Sequence, residues 1–439
     1  MNNKLILWSL VAALAGFLFG LDVAVISGAE QNIQKLWDLT PTMHGIAISI
    51  ALYGTVAGAA FGGYFADLLG RRKSLFWVGL LFFVSSLGSA ASPDVYTFMV
   101  LRLIGGFAIG ASSVISPLYI SEISTAKNRG LLVALFQFNI VFGILIAYVS
   151  NYFLHTDSVS DWRWMLGVVA IPSAIFTALT FFISESPRWL AIIKGDIEGA
   201  RQVLTDIDST SADSTLAAIV AEKAESAKTP ANNSFFSGKY NWQILLAFLI
   251  AFFNQLSGIN AIIYYAPRVF EMSGLASKAA FLATAGVGLV NLIFTMVGLS
   301  LIDKFGRRIL MYIGSIGYIV SLLLIGYAFK TNHFDGMTIF VFLFIASHAI
   351  GQGAVIWVFI GEIFPNEVRA SGQAFGGLTH WVFAALIANF FPILAANLGG
   401  APIFFLFAGM MVLQLLYVRF LMPETKGVAL EDMQRQFGH

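Results

Sequence analysis

The chain has 439 residues, of which 58% are hydrophobic and only 11% charged, and its formal net charge is +1. Soluble domains carry about 25% charged residues, so a chain this apolar needs lipid around it. The near-zero net charge argues against a nucleic-acid-binding protein, and the lack of cysteine excludes disulfides, thiolate nucleophiles and cysteine-bound metals.

Apolar runs of about 20 residues, the length that crosses a bilayer, occur as two groups of six. The first run follows only four residues without a convincing cleavage site, and we interpret it as a retained helix and not as a signal peptide. The runs lie near residues 5–28, 44–66, 74–92, 96–118, 131–153, 163–183, 242–266, 279–301, 309–329, 337–360, 372–396 and 401–422. They predict an all-α membrane protein with twelve transmembrane helices.

These runs divide the chain into four predicted parts. They are an N-terminal six-helix bundle (1–183), a cytoplasmic helical linker (184–241), a C-terminal six-helix bundle (242–422) and a cytoplasmic tail (423–439). Arg71, Arg72, Arg307 and Arg308 fall in loops on the side that carries both termini, so the positive-inside rule predicts that both termini are cytoplasmic. Within the linker, residues 196–208 and 214–228 read as short amphipathic helices, for which a lid or spacer is the simplest role.

The second half of the chain repeats the first. GGYFADLLGRR (62–72) corresponds to GLSLIDKFGRR (298–308), SEISTAKNRG (121–130) to GEIFPNEVRA (361–370), and Glu185 to Glu424 at nearly the same offset. Repeats of this kind are typical of transporters whose binding site lies near the bilayer midplane. At the same offset, GLDVAVI (20–26) corresponds to GINAIIY (258–264), so Asp22 has the neutral amide Asn260 as its counterpart.

Asp22 is a carboxylate inside an apolar run, where a charge costs about 2.5–3.5 kcal/mol. Arg102, in the fourth run, is predicted to lie at a similar depth, and pairing would lower the cost of both charges. The pair could be purely structural, or it could be a switch in which Asp22 is ionised and paired in one state and protonated in another.

Four sequence motifs stand out: the paired Asp-Gly-Arg-Arg loops, SESPRWL (184–190), PETKG (423–427) and QLSGINAIIYYAP (255–267). Together they resemble the sugar porter family of the major facilitator superfamily, and the resemblance extends over nearly the whole chain. It implies two pseudo-symmetric six-helix bundles that carry a monosaccharide, a hexose or a pentose, by alternating access. An Asp–Arg pair at these positions is similar to the bacterial proton–sugar symporters, so Asp22 and Arg102 are the expected proton-coupling residues.

The resemblance also implies a sugar site made of amides and aromatic rings, which suit hydroxyl groups and the C–H face of a sugar. The residues at the family's substrate positions are Gln137, Asn254, Gln255, Asn260, Tyr264, Asn291, Trp357, His380 and Trp381. In the family the seventh helix usually has a Gln–Gln pair where this chain has Asn254–Gln255, and an amide usually stands where this chain has His380. Gln255 and Asn260 can face one cavity only if the helix bends or breaks near Ser257–Gly258.

Charged residues recur at the inner helix ends of both halves, and we interpret them as a gating network that ties the halves together. Its members are Asp67, Arg71, Arg72, Glu122, Arg129, Glu185, Arg188, Asp303, Arg307, Arg308, Glu362, Arg369 and Glu424. The positive-inside rule alone would account for the basic members but not for the acidic residues beside them. The resemblance implies that the network forms when the carrier faces outward and breaks when it opens inward.

No GxxxxGK[ST] loop and no metal-ligand spacing occurs in the sequence, so we expect no cofactor, no metal and no enzymatic activity. The expected partners are a monosaccharide, a proton and the lipid bilayer, and the expected form is a monomer in the cell inner membrane. A passive sugar facilitator of the same fold stays open as an alternative, and a transporter-like sugar sensor ranks lower. Whether His380 titrates or only forms hydrogen bonds is also open.

Overall fold

The structure is a computed structural model that describes residues 2–125, 128–226, 235–365 and 367–428. Regular secondary structure in these ranges is helical throughout. Residues 227–234 of the predicted linker and residues 429–439 of the predicted tail lie outside the described residues.

Twelve helices in the described part are long and apolar enough to span a membrane, and we number them α1 to α12 in chain order. Their bounds are Asn3–Leu36, Pro41–Leu69, Arg71–Ala91, Val95–Ile123, Arg129–Leu154, Asp161–Phe182, Asn241–Met272, Ser277–Phe305, Arg307–Thr331, Met337–Ile363, Arg369–Leu398 and Gly400–Phe420. Each predicted apolar run coincides with a single helix and extends at most two residues beyond it, which confirms the prediction of twelve spans. Most helices continue beyond their apolar run, because helical hydrogen bonding does not end where the lipid does.

The clearest interruption of a spanning helix is in α7. The helix ends at Leu256 and resumes at Ile259, and between them Gly258 has a φ of 84°, which favours glycine. A Cβ at this position would also lie 2.5 Å from the ring of Phe407, so the α7 backbone approaches α12 closely here. The predicted break near Ser257–Gly258 is therefore confirmed. A shorter irregularity, the π-helical turn Ala349–Gly353, lies within α10.

The linker contains the two amphipathic helices that the sequence predicts, Ile197–Ile207 and Ala212–Ser226. The first buries Ala200, Val203, Leu204 and Ile207, which have the i, i+3, i+4, i+7 spacing of one helix face. Two short turns, Pro187–Trp189 and Leu190–Lys194, precede them.

The chain forms two compact units. The first comprises Met1–Val23, Gly54–Ile144 and Leu166–Asn232, and the second comprises Ala24–Tyr53, Leu145–Met165 and Asn233–His439. The boundaries between the two units fall inside several helices. The units therefore do not test the four parts predicted from the sequence, which stay predictions.

Glycines allow close helix contact within each unit. In the first unit, a Cβ on Gly54 would lie 2.2 Å from the backbone oxygen of Leu103, and one on Gly58 would lie 2.1 Å from that of Phe107. In the second unit, a Cβ on Gly45 would lie 2.1 Å from the backbone oxygen of Asn389. Membrane helices lack a hydrophobic driving force for association, so this close backbone packing contributes directly to holding them together.

Candidate functional site

In the first compact unit the structure brings Asp22 and Arg102 together. Arg102 Nη1 donates to Asp22 Oδ1 at 2.8 Å, and its Nη2 donates to the backbone oxygen of Asp22 at 3.3 Å. Both side chains are 1% exposed. Their charges therefore balance within an apolar environment, where an unpaired charge would be costly.

The second carboxylate oxygen of Asp22 accepts no hydrogen bond from the described residues, and Arg102 Nε donates none to them. A Cβ on Gly105 of α4 would lie 2.3 Å from Ser85 Oγ but 3.8 Å, an ordinary van der Waals distance, from this oxygen, so glycine is needed here for the contact with Ser85. The pair thus leaves one carboxylate oxygen buried and open to a proton.

In the second compact unit, the amides of α7 form one hydrogen-bonded group around the helix break. Asn260 Nδ2 donates to Gln255 Oε1 at 2.6 Å, and Gln255 Nε2 donates to Asn254 Oδ1 at 2.8 Å. Gln255 Nε2 also lies 3.2 Å from both ring nitrogens of His380 on α11. The break at Gly258 is what lets Asn260 turn back onto Gln255, because residues five apart point in different directions on a straight helix.

Aromatic rings surround His380. The ring of Trp357 on α10 lies 5.0 Å from that of His380, and the ring of Trp381 lies 4.8 Å away in an edge-on arrangement. Trp357 is 39% exposed, so part of its ring is not covered by the protein. Rings beside amides provide both kinds of surface that a sugar needs, a flat apolar face and hydrogen-bonding groups.

The remaining predicted sugar ligands are placed as follows. Tyr264 is fully buried in α7. Asn291 on α8 is nearly buried and accepts a hydrogen bond from Thr295 Oγ1 at 3.4 Å. Gln137 belongs to the first unit, where it is half-buried on α5. Their assignment to the sugar site stays a prediction.

The Asp-Gly-Arg-Arg loop of the first half forms a compact polar cluster. Arg71 donates to both carboxylate oxygens of Glu122 at 2.9 Å and to Asp67 Oδ1 at 2.9 Å. Its backbone N–H, and that of Arg72, donate to Glu185 Oε1 at 2.7 and 3.1 Å. Glu185 therefore caps the first turn of α3, whose orphan N–H groups attract a negative charge.

The second half repeats this cluster residue by residue. Arg307 donates to Glu362 at 2.7 and 3.0 Å and to Asp303 at 3.1 Å. Glu424 caps α9 by accepting from the backbone N–H groups of Arg307 and Arg308, both at 2.9 Å. Each cluster closes within its own half, and the predicted link between the halves stays a prediction.

The other predicted members of the network have different partners. Arg188 pairs with Glu222 of the linker. Arg72 and Arg308 donate to backbone oxygens at the ends of α6 and α12, to Thr180 and to Val418, both at 3.1 Å. Arg129 is exposed and has no ion pair among the described residues, while Arg369 donates to the backbone oxygen of Phe364 at 3.4 Å.

Burial changes the acid–base behaviour of Glu185. Removal of its carboxyl from water raises its pKa above the ordinary value, and the N–H donors of Ser186, Arg72 and Arg71 offset part of that rise.

Comparison with known proteins identifies the family. The family model described as "Sugar (and other) transporter" matches residues 8–437. The chain belongs to this family. It is 35% identical to the arabinose-proton symporter of Bacillus subtilis (strain 168) over 98% of this chain and 94% of that protein. It is 34% identical to the glucose transporter GlcP of Staphylococcus epidermidis over 98% of this chain and 97% of that protein.

The fold agrees with the family. The chain superimposes on the inward open conformation of the xylose transporter XylE from E. coli with a TM-score of 0.87 and 32% identity, covering 98% of this chain and 99% of that one. The sugar transporter is thus a multi-pass membrane protein with the major facilitator fold, as the sequence predicts.

The second compact unit of the sugar transporter contains a further buried charge cluster, which the sequence did not reveal. Arg268 of α7 donates to both carboxylate oxygens of Glu30 of α1, at 2.9 and 2.7 Å, and to Gln34 Oε1 at 2.6 Å. His44 Nε2 of α2 lies 2.9 Å from Glu30 Oε2, and neither side chain of that pair is exposed. A cavity of about 200 Å³ lies beside the cluster, lined in part by Gln34, Arg268 and Tyr265.

Two further buried amides were also missed. Gln352, in the π-helical turn of α10, accepts from Asn254 Nδ2 at 3.4 Å and donates to Gln414 Oε1 at 2.6 Å. Gln414 of α12 donates to Ser315 Oγ of α9 at 2.8 Å. A polar residue in an apolar run was the signal that could have found them, since an amide in a membrane helix needs a partner.

Proposed function

We propose that this sugar transporter is a proton-coupled monosaccharide symporter that works by alternating access. The observation that carries the proposal is the half-satisfied carboxylate of Asp22, with one oxygen bonded to Arg102 and the other buried without a donor. Membership of the sugar transporter family supports it, as does the similarity to a protein named as a proton symporter.

The carboxylate couples a proton to the conformational equilibrium through its pairing with Arg102. An ionised Asp22 holds the guanidinium, so the state that contains the pair is stabilised by their attraction. A proton on the second oxygen neutralises Asp22 and weakens that attraction, so the protonated carrier favours the state in which the pair has separated. A ligand shifts such an equilibrium only by its difference in affinity for the two states, and the proton has that difference here.

The sugar is bound by the amide group of α7 together with the rings on α10 and α11. Gln255, Asn260 and His380 supply hydrogen bonds to hydroxyl groups, and Trp357 and Trp381 supply flat faces. Asn254, Tyr264, Asn291 and Gln137 complete the set of ligands proposed from the sequence. The substrate is a pentose or a hexose, since the relatives carry names of both kinds.

The two loop clusters regulate opening on the cytoplasmic side. Each contains an arginine bonded to two carboxylates and an acidic cap on the following helix. The Arg71–Glu122 pair is buried, with 7% and 5% of the side chains exposed, whereas Asp67 and Asp303 are exposed. Exposed pairs are individually weak, so the buried and exposed pairs together set a gap of a few kcal/mol that substrate binding can overcome. The protein is a monomer of the cell inner membrane with both termini in the cytoplasm.

Uptake into proteoliposomes tests the proposal. Purified full-length protein is reconstituted and given labelled D-xylose, L-arabinose or D-glucose, with and without an inward proton gradient. We expect at least one sugar to accumulate above its external concentration only when the gradient is present. Uptake that stops at equal concentrations under both conditions would identify a passive facilitator and contradict symport.

A further inference from the structure

Beyond the proposed sugar ligands, the second unit contains a continuous chain of five amides that ends on a hydroxyl. Read from the helix break outward, each N–H donates to the next oxygen. The links join Asn260 to Gln255, Gln255 to Asn254, Asn254 to Gln352, Gln352 to Gln414, and Gln414 to Ser315, at 2.6, 2.8, 3.4, 2.6 and 2.8 Å. We call these six residues the amide chain.

The outer members of the amide chain are deeply buried. Gln352, Gln414 and Ser315 are all 0% exposed, so water does not supply alternative partners to them. An amide without a partner in such a place destabilises the fold by its full desolvation penalty, which is larger than the net gain from an ordinary hydrogen bond. The orientation of each amide is therefore dictated by its neighbours, because turning one of them alone would place two N–H groups or two oxygens face to face.

The orientation has a consequence at the end that faces the rings. Gln352 uses its N–H toward Gln414 and presents its oxygen to Asn254, so Asn254 presents its own oxygen to Gln255. Gln255 then directs its second N–H at His380. A neutral imidazole has one donor and one acceptor nitrogen, so the nitrogen that does not accept from Gln255 carries the proton.

We propose that Gln352, supported by Gln414 and Ser315, is a specificity-determining positioning residue that fixes which donors and acceptors the sugar site presents. This inference rests on the proposed function. In the arrangement of the structure, His380 offers an N–H and Asn260 offers one N–H and its oxygen to a bound sugar. Gln352 acts through Asn254 and Gln255 and does not itself touch the substrate.

The position of Asn254 explains why Gln352 is needed. The side chain of Asn254 is one carbon shorter than a glutamine, and its amide bonds both to Gln255 on its own helix and to Gln352 on α10. Without Gln352, the Asn254 N–H would have no acceptor among the described residues, and the Asn254–Gln255 pair could turn over. The sugar site would then present a mixture of donor and acceptor patterns.

The matched control is Gln243, a second glutamine on α7. It is also 0% exposed, but neither its oxygen nor its nitrogen has a hydrogen-bond partner among the described residues. Gln243→Met and Gln352→Met therefore remove the same group from equally buried places, and only the second removes a link of the amide chain. Gln352→Glu is the conservative variant, because a carboxyl group kept protonated by burial can accept from Asn254 and donate its O–H to Gln414.

The experiment measures binding of D-glucose and D-xylose to the full-length protein in detergent, and sugar counterflow in proteoliposomes. A tenfold change in Kd corresponds to about 1.4 kcal/mol, the scale of one buried hydrogen bond, so we expect Gln352→Met to weaken binding about tenfold. The maximum counterflow rate should stay within about twofold of wild type. Gln243→Met should bind as wild type does, and Gln352→Glu should recover most of the loss.

Sugar analogues provide a readout that a structural role would not change. A fluorine can only accept a hydrogen bond, so a sugar position that faces a protein donor tolerates fluorine better than hydrogen. We expect wild-type protein to prefer the monodeoxyfluoro over the monodeoxy analogue of D-glucose or D-xylose at one or more ring positions, and Gln352→Met to lose that preference. A variant that keeps wild-type affinity and preference, or that loses counterflow rate at unchanged affinity, would overturn the proposal.

If Gln352→Met is too unstable to assay, Ser315→Ala takes its place, because it removes only the terminal hydroxyl of the amide chain. We expect that variant to lose about threefold in affinity and to lose the preference for the fluorinated analogue as well. Wild-type affinity and preference in that variant would overturn the amide chain. Wild-type protein that neither binds nor exchanges any of D-glucose, D-xylose and L-arabinose would count against the proposed function itself, whereas wild-type binding with an unaffected Gln352→Met variant would overturn the amide chain alone.

Discussion

Arg102 satisfies only one of the two carboxylate oxygens of Asp22. The guanidinium lies 2.8 Å from Oδ1, and Oδ2 has no donor among the described residues although the side chain is 1% exposed. Arg71, in contrast, contacts both carboxylate oxygens of Glu122 in a two-point geometry that leaves neither oxygen without a donor. The one-sided contact suits a carboxylate that must take up and release a proton.

Removing one partner of the Asp22–Arg102 pair while leaving the other should strongly lower the stability of the folded protein. Arg102→Met leaves a buried carboxylate without its guanidinium, and breaking a buried pair in this way costs about 3–5 kcal/mol. The double variant with Asp22→Asn removes both charges and should recover much of the loss. Thermal unfolding of both variants in detergent checks this. Equal melting temperatures for the single and the double variant would contradict the pairing.

The cluster of Glu30, His44 and Arg268 predicts a tether among three helices of the second unit. Glu30→Gln removes the charge that Arg268 of α7 contacts through two nitrogens, so the ends of α1 and α7 should separate more often. The chain has no cysteine, so Ala395→Cys, at the adjacent cavity, supplies a single labelling site. Its reaction with a maleimide should be several times faster in the Glu30→Gln background.

The control for this tether is Glu271→Gln. Glu271 also lies on α7 and accepts from Gln31 of α1 at 2.8 Å in a partly buried position, where its attraction to Arg268 acts through space and not through the two-nitrogen contact that Glu30 makes. Its loss should leave the labelling rate near that of the parent. If both substitutions accelerate labelling equally, the specific tether at Glu30 is contradicted, because the loss of any contact between α1 and α7 then has the same effect.

Glu185 predicts a pH effect on stability. Burial raises its pKa above the ordinary value of 4.5, so the folded protein binds this proton more tightly than the unfolded chain. The corresponding stability is fully present below the unfolded pKa and is lost as the pH rises through the raised pKa. Melting temperatures measured from about pH 4 upward should therefore fall more steeply in wild type than in Glu185→Gln. Parallel curves would show that Glu185 does not contribute.

Gly70 predicts a large effect of one methyl group. Its φ is 89°, and a Cβ would lie 2.4 Å from Glu185 Oε2. Gly399 isolates the backbone effect, because its φ of 75° and ψ of 177° are close to the φ of 89° and ψ of 162° at Gly70 and no atom lies within 4 Å of a Cβ there. Gly399→Ala should cost about 1–3 kcal/mol, as a backbone conformation that essentially only glycine adopts does for other residues. Gly70→Ala should cost about 1–3 kcal/mol more, because the Glu185 cap must move. Equal melting temperatures for the two variants would argue against a tight cap.

Much of the fold could be predicted from the sequence, because membrane helices are apolar throughout and charged loops separate them. The repeat also made the second loop cluster predictable from the first. The break in α7 followed from a local argument about Gln255, Asn260 and Gly258. The ends of helices were less predictable, because α1 remains helical to Leu36 although its apolar run ends near residue 28.

The contacts that were missed depend on residues far apart in the chain. Glu30 lies just beyond the predicted run 5–28, and Arg268 lies just beyond the predicted run 242–266. Nothing in either local sequence indicates that the two meet in a buried position beside His44. Gln352 and Gln414 are single amides in apolar runs, and their role appears only when the packing of four helices brings the amide chain into register.

Proton movement that accompanies sugar entry is the most direct test of the account. Proteoliposomes that contain a pH-sensitive dye and the wild-type protein are given a transported sugar without a preset gradient. Proton symport through Asp22 predicts acidification of the lumen with wild type. With Asp22→Asn it predicts none, while sugar exchange continues at a measurable rate. Sugar-dependent acidification that persists in Asp22→Asn, at a rate comparable with wild type, would contradict the central role of Asp22.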